Sequence, residues 1–460
     1  VPTFTDSRTG TITLAGGFGV VGISVAFGQT PLSTAPGWTR IDNPLGISVV
    51  NGFTLRRGRS YLTDKIDGGT ASVSFVDVHG VMDPTNTSGP LYPMNPNAPA
   101  AIAIQNLVTG NWVTLFTGLI QGVPQQVNVD SAANRGSLEL ADLFSLLAIK
   151  EVPAGLTYTD AGDSTYTSAS NTSGNTVYPE QTVQDRIKAI LADAAVPAAL
   201  TNIYSGNVRV QVTTYSPGEK ILSALQDAAD AEFPGVANLF VGKDGVVNFR
   251  GRLARFNPSA YGITSWDAAD TAGLVSHTSR AVLQSITLDR DVNKIVNNAL
   301  FAPQGVADTA IAGQLVSDAT SITNYGPRGL TGMDLINAGA TTGTLAGDPL
   351  GETKLFSTFY DTNMKDPATR VQQATFRWVP ASHPNAAYHW NFLCNVEIDD
   401  IVNITTTHPG GGGFSASPYF VEGISYDAAL GPTNQWDLTL TLDLSPAAYY
   451  TTQPTNWAST

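Results

Sequence analysis

Residues 47–60 read ISVVNGFTLRRGRS, with apolar, mostly β-branched residues interleaved with polar ones over a short run. That is the pattern of a strand with one buried face. Asn51-Gly52 stands between Val50 and Phe53. Both residues tolerate positive φ, so the dipeptide predicts a two-residue hairpin turn. Downstream the pattern repeats in 71–80 (ASVSFVDVHG), 101–107 (AIAIQNL) and 112–123 (WVTLFTGLIQGV). Several short strands separated by turn residues predict a barrel or sandwich. Upstream, 11–31 (TITLAGGFGVVGISVAFGQTP) carries Gly every few residues. It reads as a strand pair or a docking arm, with enough apolar content to need a cover.

After this β region the period changes. In 138–149 (LELADLFSLLAI), Leu140, Leu143, Phe144 and Leu147 fall at helical spacing and predict a short closing helix. Residues 151–180 are a polar Thr/Ser/Gly/Asn loop. Thr182 with Asp185 resembles a capping box ahead of a helix whose buried stripe is Val183, Ile187, Ile190 and Leu191. Ser216, Pro217 and Glu219 predict the start of a second helix, as N-cap, N1 and N3. Between the two helices, 208–212 alternates as a strand, and LFVGKDGVVNFR (239–250) reads as a hairpin turning at Lys243-Asp244-Gly245. Strands return in 282–290 and 294–302, and 303–350 shows little periodicity. Leu355, Phe356, Phe359 and Tyr360 predict a helix ending before Asp366-Pro367. The last ninety residues read as strands: ATFRWV, FLCNVEIDDIVNI, YFVEGISYD and WDLTLTLDL.

Composition narrows the function. Of 460 residues, 13% are charged and 42% hydrophobic; about 25% charged is usual, so hydroxyls and amides must wet much of the surface. The 24 basic and 38 acidic side chains leave a net charge of −14. Sequence-specific nucleic-acid binding by phosphate neutralisation is excluded by sign. The acidity is concentrated late, because the first 150 residues hold 8 basic and 9 acidic side chains. Cys394 is the single cysteine, so no intrachain disulfide and no CxxC site exists. The uncharged run 9–39 is broken by Gly and Pro, and its apolar part is shorter than a membrane helix requires. With no signal-peptide pattern, the expectation is a soluble chain made in a reducing compartment, without membrane insertion.

No constellation for catalysis, cofactor or metal stands out. His79, His277, His383, His389 and His408 are scattered, and none shows HExxH spacing. His383 with His389 is the nearest approach to a metal pair. There is no GxSxG elbow and no phosphate-cradling glycine loop. The glycines at 410–413 read as a hairpin tip. Asp289, Asp291, Asp399 and Asp400 read as solvated strand ends rather than acid/base or calcium groups, and Arg56, Arg57 and Arg59 as an exposed basic strand end. Trp112, Trp378, Trp390 and Trp436 could line a sugar platform, although alternating strands favour a core role. The expected catalytic, cofactor and metal residues are therefore none.

The stretch from Trp38 to Gly122 also resembles the tail hub, or minor tail, proteins of long-tailed bacteriophages. The resemblance is carried by FTLRRGRSYLTDKIDGGTASVSFVDVHGVMDPTNTSGPL (53–91) with its Arg57-Gly58-Arg59 turn, Gly69-Thr70-Ala71-Ser72-Val73, Asp83-Pro84-Thr85-Asn86, and Leu115-Phe116-Thr117-Gly118. VQDRIKAIL (183–191), the 239–250 hairpin, Ile295-Val296-Asn297-Asn298 and the run from VEIDDIVNI to WDLTLTLDLSP follow in the same order. Order, rather than any one motif, carries the likeness.

What the resemblance implies is a mainly β fold with an α/β insertion: two tail-tube-like β-barrels plus smaller α/β and β domains. The expected division is 1–37, N-terminal docking arm; 38–150, first barrel; 151–255, α/β domain; 256–302, start of the second barrel; 303–369, loop-rich insertion with a short helix; and 370–460, the rest of the second barrel and C-terminal strands. It further implies a non-enzymatic virion protein at the distal end of the tail, assembled in the host cytoplasm. Three copies would form a ring joining the tail tube or distal tail ring to the tip. The expected partners are its own copies, the distal tail or tail tube protein, the tape-measure protein and other tip proteins, with DNA passing through unbound. The alternative is a tip module that recognises a host cell-surface glycan.

Overall fold

The computed structural model describes residues 3–6, 10–13, 21–42, 49–77, 80–89, 91–127, 134–160, 166–206, 208–270, 279–304, 311–335, 349–431 and 436–451. The chain is mainly β with an α/β insertion, and one sheet of fourteen strands organises it. Six strands of its C-terminal part run in the order Ile401–Thr407, Ser265–Ala269, Ala281–Asp289, Arg370–Arg377, Trp436–Pro446 and Gly413–Leu430. Gly413–Leu430 is long enough to pair with Trp436–Pro446 along one half and with Ile401–Thr407 along the other, so these six close into a ring.

The same strand also pairs with Val49–Gly58, which begins the first β unit. From there the order is Asp67–Asp77, Asn134–Ala141, Trp112–Gly122, Pro99–Gln105, Val21–Val25 and Thr39–Arg40. No pairing joins the two ends of this series among the described residues. The inward faces follow the period of two: Ala71, Val73 and Phe75 on one strand and Leu438, Leu440, Leu442 and Leu444 on another are all buried.

Val21–Val25 lies within the expected arm of residues 1–37, yet it pairs along its length with Pro99–Gln105 of its own chain, and all five residues are buried. An arm reaching a neighbour is thus confined to residues before 21. The Asn51-Gly52 hairpin is also corrected. Val49–Gly58 continues through the dipeptide with a register shift between Val50 and Gly52, a bulge rather than a turn. A β-carbon on Gly52 would stand 2.7 Å from the Ala428 carbonyl oxygen, so glycine serves close strand approach here.

In the α/β region, helices Val183–Asp193 and Ile221–Glu232 pack together. Thr182 caps the first as expected, its side chain accepting the Asp185 N–H at 3.1 Å while its hydroxyl donates to Asp185 at 2.7 Å. The second starts later than the sequence predicts. Residues 216–219 form a turn, with the Glu219 N–H donating to the Ser216 carbonyl, and Lys220 is the N-cap. The hairpin of Asn238–Val241 and Val247–Arg250 turns at 242–246 as expected.

Two further expectations shift. Leu140 belongs to strand Asn134–Ala141, so the closing helix is only Leu143–Leu147, capped by Asp142. Part of FLCNVEIDDIVNI is helical: Ala386–Asn395 precedes strand Ile401–Thr407. Helix Pro349–Met364 appears where Phe356 and Tyr360 predict one. Its aromatic face stacks Phe356 on Phe233 at 4.5 Å and Tyr360 on Phe301 at 5.5 Å, docking this helix against the α/β region and strand Asn298–Pro303.

Candidate functional site: a buried ionic junction

Where Val49–Gly58 meets Gly413–Leu430, two glycines face each other, Gly58 opposite Gly423. Gly58 has φ +88°, and a β-carbon there would lie 2.2 Å from the Glu422 carbonyl oxygen. A β-carbon on Gly423 would lie 2.5 Å from the Arg59 carbonyl oxygen. Only glycine permits this approach of the two β units. Gly58→Ala is expected to cost roughly 2–3 kcal/mol through left-handed strain and the carbonyl collision, measured as a lower midpoint in urea with a near-normal spectrum.

Immediately beside the glycines, charges from three parts of the chain converge. Arg255, fully buried, donates to both Glu422 oxygens at 2.6 and 2.9 Å and, through Nε and Nη2, to Asp399 at 2.9 and 2.8 Å. Arg59 reaches the same Glu422 carboxylate through Nε at 2.8 Å and donates to the Gly235 carbonyl at 2.7 Å. Asn238 donates to Asp399, Ser445 to Glu422, and Arg255 to the Tyr450 hydroxyl. A second cluster adjoins: Arg57 donates to Glu397 at 2.6 Å, whose other oxygen accepts the Lys243 N–H at 3.0 Å.

The first β unit thus contributes Arg57 and Arg59. The α/β region contributes Asn238, Lys243 and Arg255, and the C-terminal ring Glu397, Asp399, Glu422, Ser445 and Tyr450. Burial alone drives Glu422 upward, but Arg255 and Arg59 outweigh it and hold its carboxyl at about 2. Burial lifts the Tyr450 hydroxyl to about 12 despite Arg255. The cluster sets two carboxylates against Arg255 and Arg59, with Asn238 and Ser445 as further donors and Arg250 3.7 Å from the Asp399 Oδ2, an oxygen that accepts no hydrogen bond. Such an arrangement fixes the geometry of the three parts it joins.

Arg57, Arg59, Asp399 and Asp400 are therefore buried, not the solvated strand ends expected of them. Asp400 accepts from the Thr264 N–H, the Trp266 indole and the Glu397 N–H, and burial sets it at about 6. Arg56 does match the expectation, with its side chain 52% exposed. Asp291 caps a short turn at Val292–Lys294. Arg255, Glu397, Glu422 and Asn238 were not singled out by the sequence. The available signal was Glu422 inside YFVEGISYD and Arg255 inside LARF, charges set in apolar runs of a chain with 13% charged residues.

His389 is fully buried on helix Ala386–Asn395. Its Nδ1 accepts the Val282 N–H at 3.0 Å and its Nε2 donates to the Arg377 carbonyl at 2.9 Å, leaving no lone pair for a metal shared with His383. His79 and His277 lie outside the described residues, and among the described residues no group of three metal-ligating side chains occurs. Burial pushes His389 down to about 4. Below pH 6.5 the unfolded chain takes a proton that the folded one refuses, so stability present above pH 6.5 is lost as pH falls toward 4. By pH 5 the loss is about 2 kcal/mol. Asp400 and Asp142, raised to about 6 and about 7, act in the opposite sense. The difference between wild type and His389→Gln in urea unfolding at pH 7.5 and pH 5 isolates the histidine; a pH-independent difference would count against this role.

Trp390 and Trp112 are buried and Trp378 and Trp436 half-buried, so they form no exposed platform. The glycines at 410–413 stand at the tip between Ile401–Thr407 and Gly413–Leu430, as expected. Among the described residues no helix is long and apolar enough to cross a membrane.

No protein-family model matches the sequence, and no curated protein does. Solved structures do. A tail protein from Neisseria meningitidis MC58 superposes over 95% of this chain and 100% of its own, with TM-score 0.52 at 12% identity. The chain shares the fold of this tail protein. The 43 kDa tail protein of prophage MuSo2 from Shewanella oneidensis agrees, covering 94% of this chain and 99% of its own with TM-score 0.52 at 10% identity. At such identities the likeness is one of fold, and it spans both β units and the region between them.

Proposed function

We propose that this chain is a structural, non-enzymatic tail-tip protein, three copies of which form a hub ring joining the tail tube or distal tail ring to the tip. The observation that carries the reading is the edge-to-edge fusion of two β units through Val49–Gly58 and Gly413–Leu430 in a chain with a tail-protein fold. Each subunit offers two sheet units held in one fixed relation by the ionic junction. Three subunits then supply six, a pseudo-sixfold ring suited to meet a tube. Its partners are its own copies, the distal tail or tail tube protein, the tape-measure protein and other tip proteins, in a virion assembled in the host cytoplasm.

The net charge of −14 suits a channel wall that DNA passes without being retained, since phosphates repel a negative surface. The glycan-binding alternative gains nothing from the buried and half-buried tryptophans. Sedimentation velocity and negative-stain class averages of the purified chain at high concentration test the reading. A threefold ring with a central opening is expected. A chain that stays monomeric alone and in lysates of particle-producing cells would remove the ring.

A further inference from the structure

The large sheet leaves an exposed edge open. Ala281–Asp289 pairs with Ser265–Ala269 only through Ala281 and Val282. From Leu283 to Asp289 one edge is bonded to Arg370–Arg377, and the opposite edge pairs with nothing among the described residues. Gln284, Ser285, Thr287 and Leu288 are exposed there, Leu288 by 44%. A bulge at Gln284 marks the start of this open run. Proteins blunt such edges with charge, proline or a very short strand. Residues 281–288, AVLQSITL, carry neither charge nor proline. The other end of the sheet shows the contrast: Thr39–Arg40 is two residues long, and the Ile23 N–H beside it is taken by the Asp42 carboxylate at 2.8 Å.

The chain also carries a strand pair short of a third strand. Thr3–Asp6 and Gly10–Thr13 pair with each other and form a two-stranded sheet of their own. They lie beside Trp112–Gly122 but share no ladder with it among the described residues. A lone hairpin is marginal in water, and a third strand is what stabilises it. Residues 14–20 separate the hairpin from Val21–Val25 and span roughly 25 Å when extended. In its own subunit the hairpin is rooted on Val21–Val25, at the far end of the sheet order from Ala281–Asp289. The edge it can complete is therefore that of a second copy.

We propose that the N-terminal hairpin of one copy adds to the open edge Leu283–Asp289 of a neighbouring copy, with Gly10–Thr13 as the strand that meets it. Strand addition of this kind takes its affinity from main-chain hydrogen bonds, which both partners have to offer. Gly10–Thr13, GTIT, is uncharged like the edge it meets, while Thr3–Asp6 ends on Asp6. A charge suits the strand left outermost. The contact joins different surfaces of the two copies, so it repeats head to tail and closes where the rotation allows a ring. It rests on the reading of this chain as a self-assembling subunit and names the elements that join.

The test is photocrosslinking of the full chain carrying p-benzoylphenylalanine in place of Leu288, in a mixture of ordinary and nitrogen-15-labelled copies at high concentration. Mass spectrometry is expected to find that position joined to residues 1–20 in peptides of mixed label. Adding Ser285→Lys and Thr287→Lys to the same chain is expected to lower the yield about tenfold or more, since edge lysines block strand addition. Both side chains are exposed, so the fold is kept, checked by the melting curve. Mixed-label links to residues 1–20 uphold the proposal whatever number of copies sedimentation gives, so the threefold ring stands or falls separately. A threefold ring without these links keeps the ring and overturns the proposal. Links within one copy, links to 281–289 or another segment of a second copy, no links, or equal yield from the lysine variant also overturn it.

Discussion

A chain lacking residues 1–37 is expected to lose the cooperative unfolding of its first β unit, whereas a chain lacking residues 1–20 keeps it. The longer truncation removes Val21–Val25, which pairs through five residues with Pro99–Gln105 and presents Val21, Ile23 and Val25 to the core. At roughly 1.5–3 kcal/mol for each fully buried side chain of this kind, the loss is of the order of 5 kcal/mol or more. It also bares Pro99–Gln105, a strand buried on both faces, as an apolar edge open to aggregation. Thermal melts and limited proteolysis of the two truncations check this. If the chain lacking 1–37 melted like the full chain, the strand would not be part of its own subunit's fold in solution, and a swapped arm would be the better account.

Arg255→Met is expected to destabilise the chain by about 3–5 kcal/mol, because it leaves Glu422 and Asp399 buried with half their counter-charge. The penalty has a pH signature. Glu422 is held at about 2 in the fold against an ordinary value near 4.5, so its pairing stabilises above pH 4.5 and is lost as pH falls toward 2. The gap between wild type and variant therefore narrows over that range. Urea unfolding at pH 7 and pH 3.5 measures it. Arg377→Met is the control: its pair with Asp437 has both side chains about half exposed, so little measurable change is expected. An Arg255→Met penalty no larger than that control would show that the junction does not hold the β units together.

Much of the fold was legible because it rests on local pattern. The alternation of 71–77 and 436–444, the Thr182–Asp185 box and the turn at 243–245 each need only neighbours a few residues away. Asn51-Gly52 carries the same local signal as a hairpin turn, but the Ala428 backbone decides its role, and that strand lies far along the chain. Helix Ala386–Asn395 was hidden by its environment: Trp390, Phe392, Leu393 and Cys394 are buried on several sides, which erases the one-sided period that marks a surface helix. The junction was the least legible part. Arg59 and Glu422 are 363 residues apart, and a charge in a sequence looks solvated until its partner is known. The exposed reading of Arg57, Arg59, Asp399 and Asp400 failed for that reason, while the same reading held for Arg56.

The central claim, that this chain is a structural component of the distal tail, is tested most directly by immunogold electron microscopy of intact tails with antibodies raised against it. Gold confined to one end of each tail, opposite the capsid, is the predicted result. Gold spread along the tail, or confined to material that does not sediment with particles, would contradict it.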